Sequence, residues 1–202
     1  MGRTPIFDLA AVESAGLEVA AERGWAAISM RSVAEQLGVS TMALYRVTPD
    51  ATALRRAVAD RAAARLRPRT RLGSDVVDEL GRWAPMAHRR LIAHPGLAAF
   101  VVANWTELPR WLDIVESFLD VAEAEDRPPM DAVAVVNAVF AFVLARAQFR
   151  DSIREADPRR LGPLRAEPAR YPNIARSRAA FSTARTSKHF QIGLDALVAG
   201  LR

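Results

Sequence analysis

The sequence has no cysteine. Disulfides, thiolate metal sites and cysteine nucleophiles are therefore excluded, and the composition fits a reducing compartment such as the cytoplasm. Histidine is scarce: His88, His94 and His189 are the only three. His88 and His94 lie too far apart to stack on one face of a helix, and no zinc-type spacing is present, so no metal is expected. Neither a Gly-x-Gly-x-x-Gly, a Walker nor a Gly-x-Ser-x-Gly motif occurs. The acidic pairs Asp78-Glu79 and Glu123/Glu125 read as solvated helix faces. An enzyme is a poor fit, and no cofactor is implied. The N-terminus lacks the apolar run of a secretory signal. The longest nearly apolar run, Ala132 to Ala145, contains Asn137 and falls short of the roughly 20 residues that span a bilayer, so no membrane partner is expected.

What is present is ordinary for a globular protein with a real core: 202 residues, half of them apolar and a quarter charged. The charge is unevenly placed. Residues 1–71 hold 11 Arg against 7 Asp/Glu, and residues 72–202 hold 17 Lys/Arg against 16 Asp/Glu, so +4 of the net +5 sits in the first third. Lys188 is the sole lysine, which leaves simple over-use of arginine as the bland reading. A local concentration of positive charge is what phosphate binding favours.

No convincing strand alternation appears, and the fold class is all-α. Thr4 and Pro5 are a cap and a first-turn proline for a helix to Arg23, with Leu9, Val12, Gly16, Leu17 and Ala20 inward. Gly24 ends it, and Trp25 is a core or staple residue. Thr48-Pro49-Asp50 is a turn and cap before a helix to about Leu66 with Leu54, Val58 and Ala62 inward. Arg67-Pro68 stops it, and a polar, basic connection leads to Gly73. Further helices are expected over Asp75 to His94, Leu97 to Asn104, Pro109 to Glu125 (Leu112, Val115, Phe118, Leu119 and Ala122 inward), Asp131 to Arg154, Asn173 to Ala184 and Ser187 to Leu201. Residues 155–172, with four prolines, read as an extended loop.

The stretch Ser29–Leu54 organises the rest. Ser29 caps a short helix whose Met30, Val33, Ala34 and Leu37 form one apolar stripe. Gly38 tolerates the left-handed turn that follows, and Val39 plugs the corner. Ser40 caps a second helix, Thr41 to Arg46, anchored by Leu44. Thr41, Met42, Ala43, Tyr45 and Arg46 are left to face outward, as a major-groove reader requires.

These residues resemble the DNA-binding domain of the tetracycline-repressor (TetR) family of bacterial regulators. The likeness rests on Gly24 followed by Ser29-Met30-Arg31 and Val33-Ala34, on Leu37-Gly38-Val39-Ser40, on Ala43-Leu44-Tyr45-Arg46, and on Pro49-Asp50 before Ala53-Leu54. The tail from Phe190 to Leu197 is similar to the end of the ligand-binding domain in members near the tetracycline repressor itself. The resemblance implies a helix-turn-helix DNA-binding domain over 1–50, a connecting helix over 51–66, and a larger helical ligand-binding and dimerisation domain over 67–202. Arg31 matches an arginine that reaches a base edge, Thr41 and Ala43 match base readers, and Tyr45 matches a phosphate-holding tyrosine. Arg46 suits the backbone or a base, Arg3 an adjacent groove, and Ser40 and Met42 complete the DNA-binding set. The chain also departs from the pattern. Val47, Thr48 and Ala51 stand where the family usually has histidine, an aromatic or apolar residue, and a phosphate-clamping lysine. Arg46, Arg55 and Arg56 either compensate for these losses or DNA binding is weaker and less salt-sensitive. Plain alternatives remain open: Tyr45 as a surface aromatic, Arg55 and Arg56 as a solvated face.

For an effector, Trp83, Phe100, Trp105, Trp111, Phe118 and Phe140 offer apolar walls, with His88, Asn104 and Asn137 as polar anchors. Ordinary core packing is the competing reading for each. Asn137, alone among apolar neighbours, needs a partner or sets helix register at a dimer interface. Dimerisation is assigned to Val133, Val136 and Phe140 on the long helix and to Phe190, Leu194, Leu197, Val198 and Leu201 on the last, with Gly193 permitting close helix approach. The expected protein is a homodimeric, cytoplasmic transcriptional repressor that binds a near-palindromic operator in double-stranded DNA and is released by an unknown small-molecule effector. The rival is a small-molecule binding protein with a degenerate DNA-binding head.

Overall fold

The computed structural model describes residues 7–71, 73–155, 167–183 and 186–202. Its elements in chain order are α1 (Leu9–Arg23), α2 (Met30–Leu37), α3 (Thr41–Leu44), α4 (Ala51–Ala64), α5 (Val76–Leu91), α6 (Leu97–Asn104), α7 (Pro109–Ala124), α8 (Pro129–Glu155), α9 (Pro172–Arg176), α10 (Arg178–Thr183) and α11 (Ser187–Gly200). Two 3-10 turns, Trp25–Ala27 and Trp105–Glu107, follow α1 and α6. Among the described residues there is no strand.

The first helix begins later than Thr4-Pro5 suggests, and those two residues lie outside the described ones. Asp8 caps α1 by accepting from the Ala11 N–H at 2.9 Å. Leu9, read as inward, is exposed because it sits on the first turn beyond the reach of α4. The rest of the stripe holds: Val12, Leu17 and Ala20 are buried against α2 and α4. Gly16 permits the tightest contact, since a Cβ there would lie 2.3 Å from a Val58 methyl.

α4 joins the small N-terminal bundle to the larger one. It packs on α1 on one side and on α6 and α7 on the other. Asp60 of α4 accepts the Arg110 N–H at 2.7 Å and its guanidinium at 3.0 Å, capping the start of α7, which has no side-chain cap of its own. Buried Glu13 of α1 lies within 3.6 Å of Arg110 and 3.9 Å of Arg61, so α1, α4 and α7 meet in one charged knot.

A second joint is built around Trp25. Its backbone N–H donates to Pro95 O at 2.9 Å, and its ring lies 5.2 Å from that of Phe100 on α6. Gly96 has a φ of +90°, and a Cβ there would meet the Trp25 Cβ at 2.7 Å. The Gly96 N–H donates to the buried carboxylate of Asp151 on α8 at 2.9 Å. Trp25 is therefore more than a residue of the small bundle: it ties head to body.

In the body, α5, α7 and α8 pack together, with α11 laid against α5 and α8. The inward face of α7 is rotated from the expected one. Phe118 and Ala122 are buried as expected and Val115 and Leu119 are half-buried against the core, but Trp111, Ile114 and Val121 are buried as well, whereas Leu112 is 40% exposed. The apolar residues span about half the circumference of α7, and the partner helices cover one edge of that arc more than the other. The 173–184 helix is two, broken at Ser177. α8 is also longer than the run Ala132–Ala145. Its 24-residue segment Pro129–Ser152, which contains an 18-residue stretch of mean hydropathy 1.8, is long and apolar enough to cross a bilayer. Here one side of that segment, with Val135, Val136, Val139 and Val143, is buried in the core.

Candidate nucleic-acid interface and effector region

The head is a capped helical pair. Ser29 Oγ accepts the Ser32 N–H at 3.1 Å and Ser32 Oγ accepts the Ser29 N–H at 3.0 Å, a reciprocal capping box with serine in both places. Ser32 Oγ also donates to Ala27 O at 2.7 Å, fixing α2 to the preceding turn. Gly38, at φ +67°, ends α2 in the left-handed conformation. Ser40 Oγ accepts the Ala43 N–H at 3.2 Å and opens α3, and Leu44 is fully buried beneath it.

α3 is shorter than Thr41–Arg46, with Tyr45 and Arg46 on a following turn. Met42 is 74% exposed, Tyr45 and Arg46 are exposed, Ser40 is exposed, and Thr41 is half-buried. Ala43, assigned to the outward face, is instead 8% exposed. Successive helical residues lie about 100° apart, so Ala43 and its neighbour Leu44 share the inner arc. Its methyl is therefore withdrawn from a base. Arg31 projects from α2 with its side chain 86% exposed and its Nε 2.9 Å from Glu35 Oε1. An exposed pair of this kind contributes at most about 1 kcal/mol, so a guanine edge can compete for the guanidinium. Arg3 lies outside the described residues.

The two arginines of α4 that could replace the missing phosphate contacts are occupied. Arg55 Nε donates to Ile28 O at 3.1 Å, and Arg56 pairs with Glu107 at 2.6 Å. Val47 and Ala51 are half-buried against the core, where polar side chains would lack partners. Arg46 alone remains exposed beside Tyr45. The positive excess of residues 1–71 also divides differently from the expectation. Arg65, Arg67, Arg69 and Arg71 lie at or past the far end of α4, about 21 Å along its 14 residues from the reading helix.

The expected effector residues do not converge on one site. Trp83, Trp111, Phe118 and Phe140 form an interlocked core cluster, with Trp83 stacked on Phe140 at 4.6 Å and Trp111 and Phe118 edge-on to Phe140 at 5.4 and 5.9 Å. Trp83 Nε1 donates to Leu66 O at 2.7 Å. Phe100 belongs to the Trp25 joint, and Asn104 donates its side-chain N–H to Phe100 O at 2.8 Å. Trp105 is 45% exposed on the 3-10 turn. Asn137 is exposed, so it has no buried polar partner to find within this chain. His88 lies apart, stacked on Phe190 at 4.1 Å. Its burial, with Arg150 and Arg146 nearby, depresses its pKa to about 4, so it is neutral at pH 7. Among the described residues no three His, Asp or Glu side chains group as metal ligands.

Clefts do open on the body. One, of about 430 Å³, lies at the α7–α8 corner between Leu119, Arg127, Pro129 and Val133. Another, of about 470 Å³, lies where the α4–α5 connection crosses α5 and is walled by Arg67, Arg69, Arg71, Arg82 and Arg90. Those arginines are absent from the site residues expected from sequence; the alternation Arg65, Arg67, Arg69, Arg71 around Pro68 is the signal that marks them.

The dimerisation set is corrected too. Val136, Phe140, Phe190 and Leu194 are buried inside their own chain. Leu197, Val198 and Leu201 are half-buried against the same core, and Val198 packs beside Gly81 of α5. The stripe on α11 is its intrachain side. Gly193 does permit a close approach, by Phe142 of α8, whose ring would stand 3.0 Å from a Cβ there. The side left open is the opposite one. On α8 it carries Met130, Val133, Asn137, Ala141 and Phe149; on α11 it carries Ile192, Ala196 and Ala199.

Residues 14–47 match the family described as bacterial regulatory proteins, tetR family. No curated protein matches the chain. Solved structures match over nearly its whole length. ActR of Streptomyces coelicolor, in complex with actinorhodin, is 18% identical with a TM-score of 0.80, covering 98% of this chain and 96% of that one. A point variant of TetR from Acinetobacter baumannii AYE, in complex with minocycline, is 23% identical with a TM-score of 0.69, covering 96% of each. BioQ with its natural double-stranded DNA operator is 22% identical with a TM-score of 0.67, covering 97% and 98%. At such identities the likeness speaks for the fold, and the match over 14–47 speaks for the head. Residues 14–47 thus carry the head of the tetR family of bacterial regulatory proteins, and over nearly its whole length the chain shares the fold of solved regulators of that family.

Proposed function

We propose that this protein is a cytoplasmic transcriptional repressor that binds a near-palindromic operator as a homodimer and releases it when a small molecule occupies the body. The observation that carries the reading is the exposed surface of Met42, Tyr45 and Arg46, with half-buried Thr41, on a short helix and its following turn fixed by Ser40, Gly38 and buried Leu44, with Arg31 projecting beside it. That is a rigid head with a polar, cationic outer face, as a major-groove reader needs. Arg31 reads a base, Thr41 and Met42 line the groove, and Tyr45 and Arg46 hold the backbone.

One α3 buries too little for tight binding, and two heads spaced about 34–36 Å apart meet successive major grooves. The open face of α8 and α11 supports a two-fold pairing in which Asn137 meets its copy and Ile192 and Phe149 are covered. The body, past the end of α4, holds the effector, as the neighbours' complexes with actinorhodin and minocycline suggest. An effector that prefers a body with altered head spacing would loosen the operator by a coupling of about 1–3 kcal/mol.

The test is a gel shift on DNA flanking the protein's own gene, as a function of salt. Saturable binding to a palindrome is expected, with a shallower salt slope than a reader with every phosphate contact, since Val47 and Ala51 supply none. Arg31→Ala should relax sequence preference and cost about 1–3 kcal/mol. Absence of binding at low salt would favour the other reading, a small-molecule binding protein with a degenerate head, for which the half-buried placement of Val47 and Ala51 is the specific motive.

A further inference from the structure

The geometry points to a binding site for a small, multiply charged oxyanion, bearing phosphate groups or several carboxylates, in the arginine-walled cleft between the α4–α5 connection and α5. Arg67, Arg69, Arg71, Arg82 and Arg90 converge there, with Glu79 the one acidic wall residue. Only Arg82 has a carboxylate partner: it pairs with Glu79 at 2.6 Å. Glu79 is already engaged through one oxygen, Oε1. It is buried, accepts from Ser74 Oγ at 2.6 Å and takes the Arg71 N–H at 3.3 Å. Burial pushes its carboxyl up, but the bonds from Ser74 and Arg82 prevail and hold it below the usual range, so it stays ionised as a fixed support. Arg67, Arg69, Arg71 and Arg90 make no ion pair among the described residues. Four guanidinium groups facing one cleft repel one another, and an anion with several charges relieves that repulsion while offering oxygens to their planar forks.

The cleft is also built in advance. The connection is pinned at its start by the bond from Trp83 Nε1 to Leu66 O and at its end by Glu79, so the backbone carrying Arg67, Arg69 and Arg71 is fixed over α5. Pro68 between the first two arginines stiffens it further. Its volume of about 470 Å³ suits a metabolite-sized ligand. Trp83 and Met86 give a small apolar floor, which accommodates a short organic portion between the charged ends. Arginines continue past the rim: the adjoining cleft shares Arg90 and adds Arg65, and there burial first and Arg65 second lower the pKa of His94. Operator DNA does not explain these arginines, because α4 sets them about 21 Å from the reading helix.

This names the chemical class of the effector in the proposed function. The site stands on its own geometry, and only the claim that its occupancy loosens DNA rests on that reading. The experiment is calorimetric titration of the full chain, without DNA, with sodium pyrophosphate and with citrate at low ionic strength. Saturable binding is expected, with an affinity at least about tenfold lower in the double variant Arg67→Gln/Arg90→Gln and unchanged in Arg23→Gln, which removes an exposed arginine of the head. Flotation with phosphatidylglycerol vesicles separates the sources. Loss of vesicle binding in the double variant would support the site with a lipid headgroup as its oxyanion; soluble binding alone supports a free metabolite. Absence of both saturable anion binding and vesicle binding, or equal affinity in the double variant, would overturn the proposal. A folded double variant, shown by an unchanged helical circular dichroism spectrum, validates the comparison. If pyrophosphate binds while operator affinity is unaffected by it, the site is supported and its role as effector site is overturned.

Discussion

The head and the body of this protein are stabilised in different ways. The head is held by punctuation: Ser29, Ser40 and Asp50 cap three successive helices, and Gly24 and Gly38 take positive φ at the turns that end α1 and α2. Its helices are as short as four residues, so each cap fixes a large share of the local backbone. The body is held by volume. Long helices apolar on several sides interlock Trp83, Trp111, Phe118 and Phe140, and no cap decides which face turns inward. A capped head presents a surface at a defined angle with little mass behind it. A packed body can admit, or be deformed by, a ligand.

The largest break in that contrast is expected where the head depends on packing after all. Gly16→Val would drive methyls into Val58 across the α1–α4 contact, where even a Cβ falls at 2.3 Å. The overpacking should cost about 1–3 kcal/mol, read as a lowered midpoint in urea denaturation. An unchanged midpoint would mean that α1 is free to shift off α4.

A smaller effect should appear in the body. His88 is neutral when folded, with a pKa of about 4 against 6.5 for the ordinary side chain, so the unfolded chain takes up a proton first as pH falls. Its contribution is complete above about pH 6.5 and is lost as pH drops toward about 4. The loss should be about 1–2 kcal/mol, after discounting for the solvent that reaches a partly exposed ring. Comparing thermal midpoints of His88→Phe and the native protein between about pH 7 and about pH 4.5 isolates this slope from that of the carboxylates. Equal slopes would place the His88 proton elsewhere.

The smallest expected change sharpens the comparison. Ser29→Ala removes the Oγ that accepts from Ser32 and should cost about 1 kcal/mol. Its signature is local: faster amide exchange in α2 with the body unaffected. Loss of protection spread evenly over α5 and α8 would contradict the view that this cap acts locally.

The same contrast explains what can be read without coordinates. Caps and glycine turns act between residues three or four apart, so Ser29, Gly38, Ser40 and Asp50 are legible one by one. Burial depends on what comes to lie opposite, and there the pattern is ambiguous. Leu112 and Trp111 both fit an inward stripe, and only the placement of α8 buries Trp111. On α11 the regular stripe is real, but it faces α5 and α8, not a second copy. Asn137 stands out on its apolar helix, yet no periodicity says whether such a helix is covered at a given residue. Charge misleads for a related reason: a sum over residues 1–71 does not register that α4 carries Arg65 and its successors to the far side.

The joint at Trp25 has a consequence for how the chain comes apart. Its backbone is bonded to Pro95, Gly96 fits beneath it only for want of a Cβ, and Asp151 holds Gly96 from α8. Together with the Glu13–Arg110–Asp60 knot, this runs one unbroken core through both halves. Head and body are then separate in what they do but a single cooperative unit in melting, so denaturant should unfold the chain in one transition, and a protease should not release a folded head.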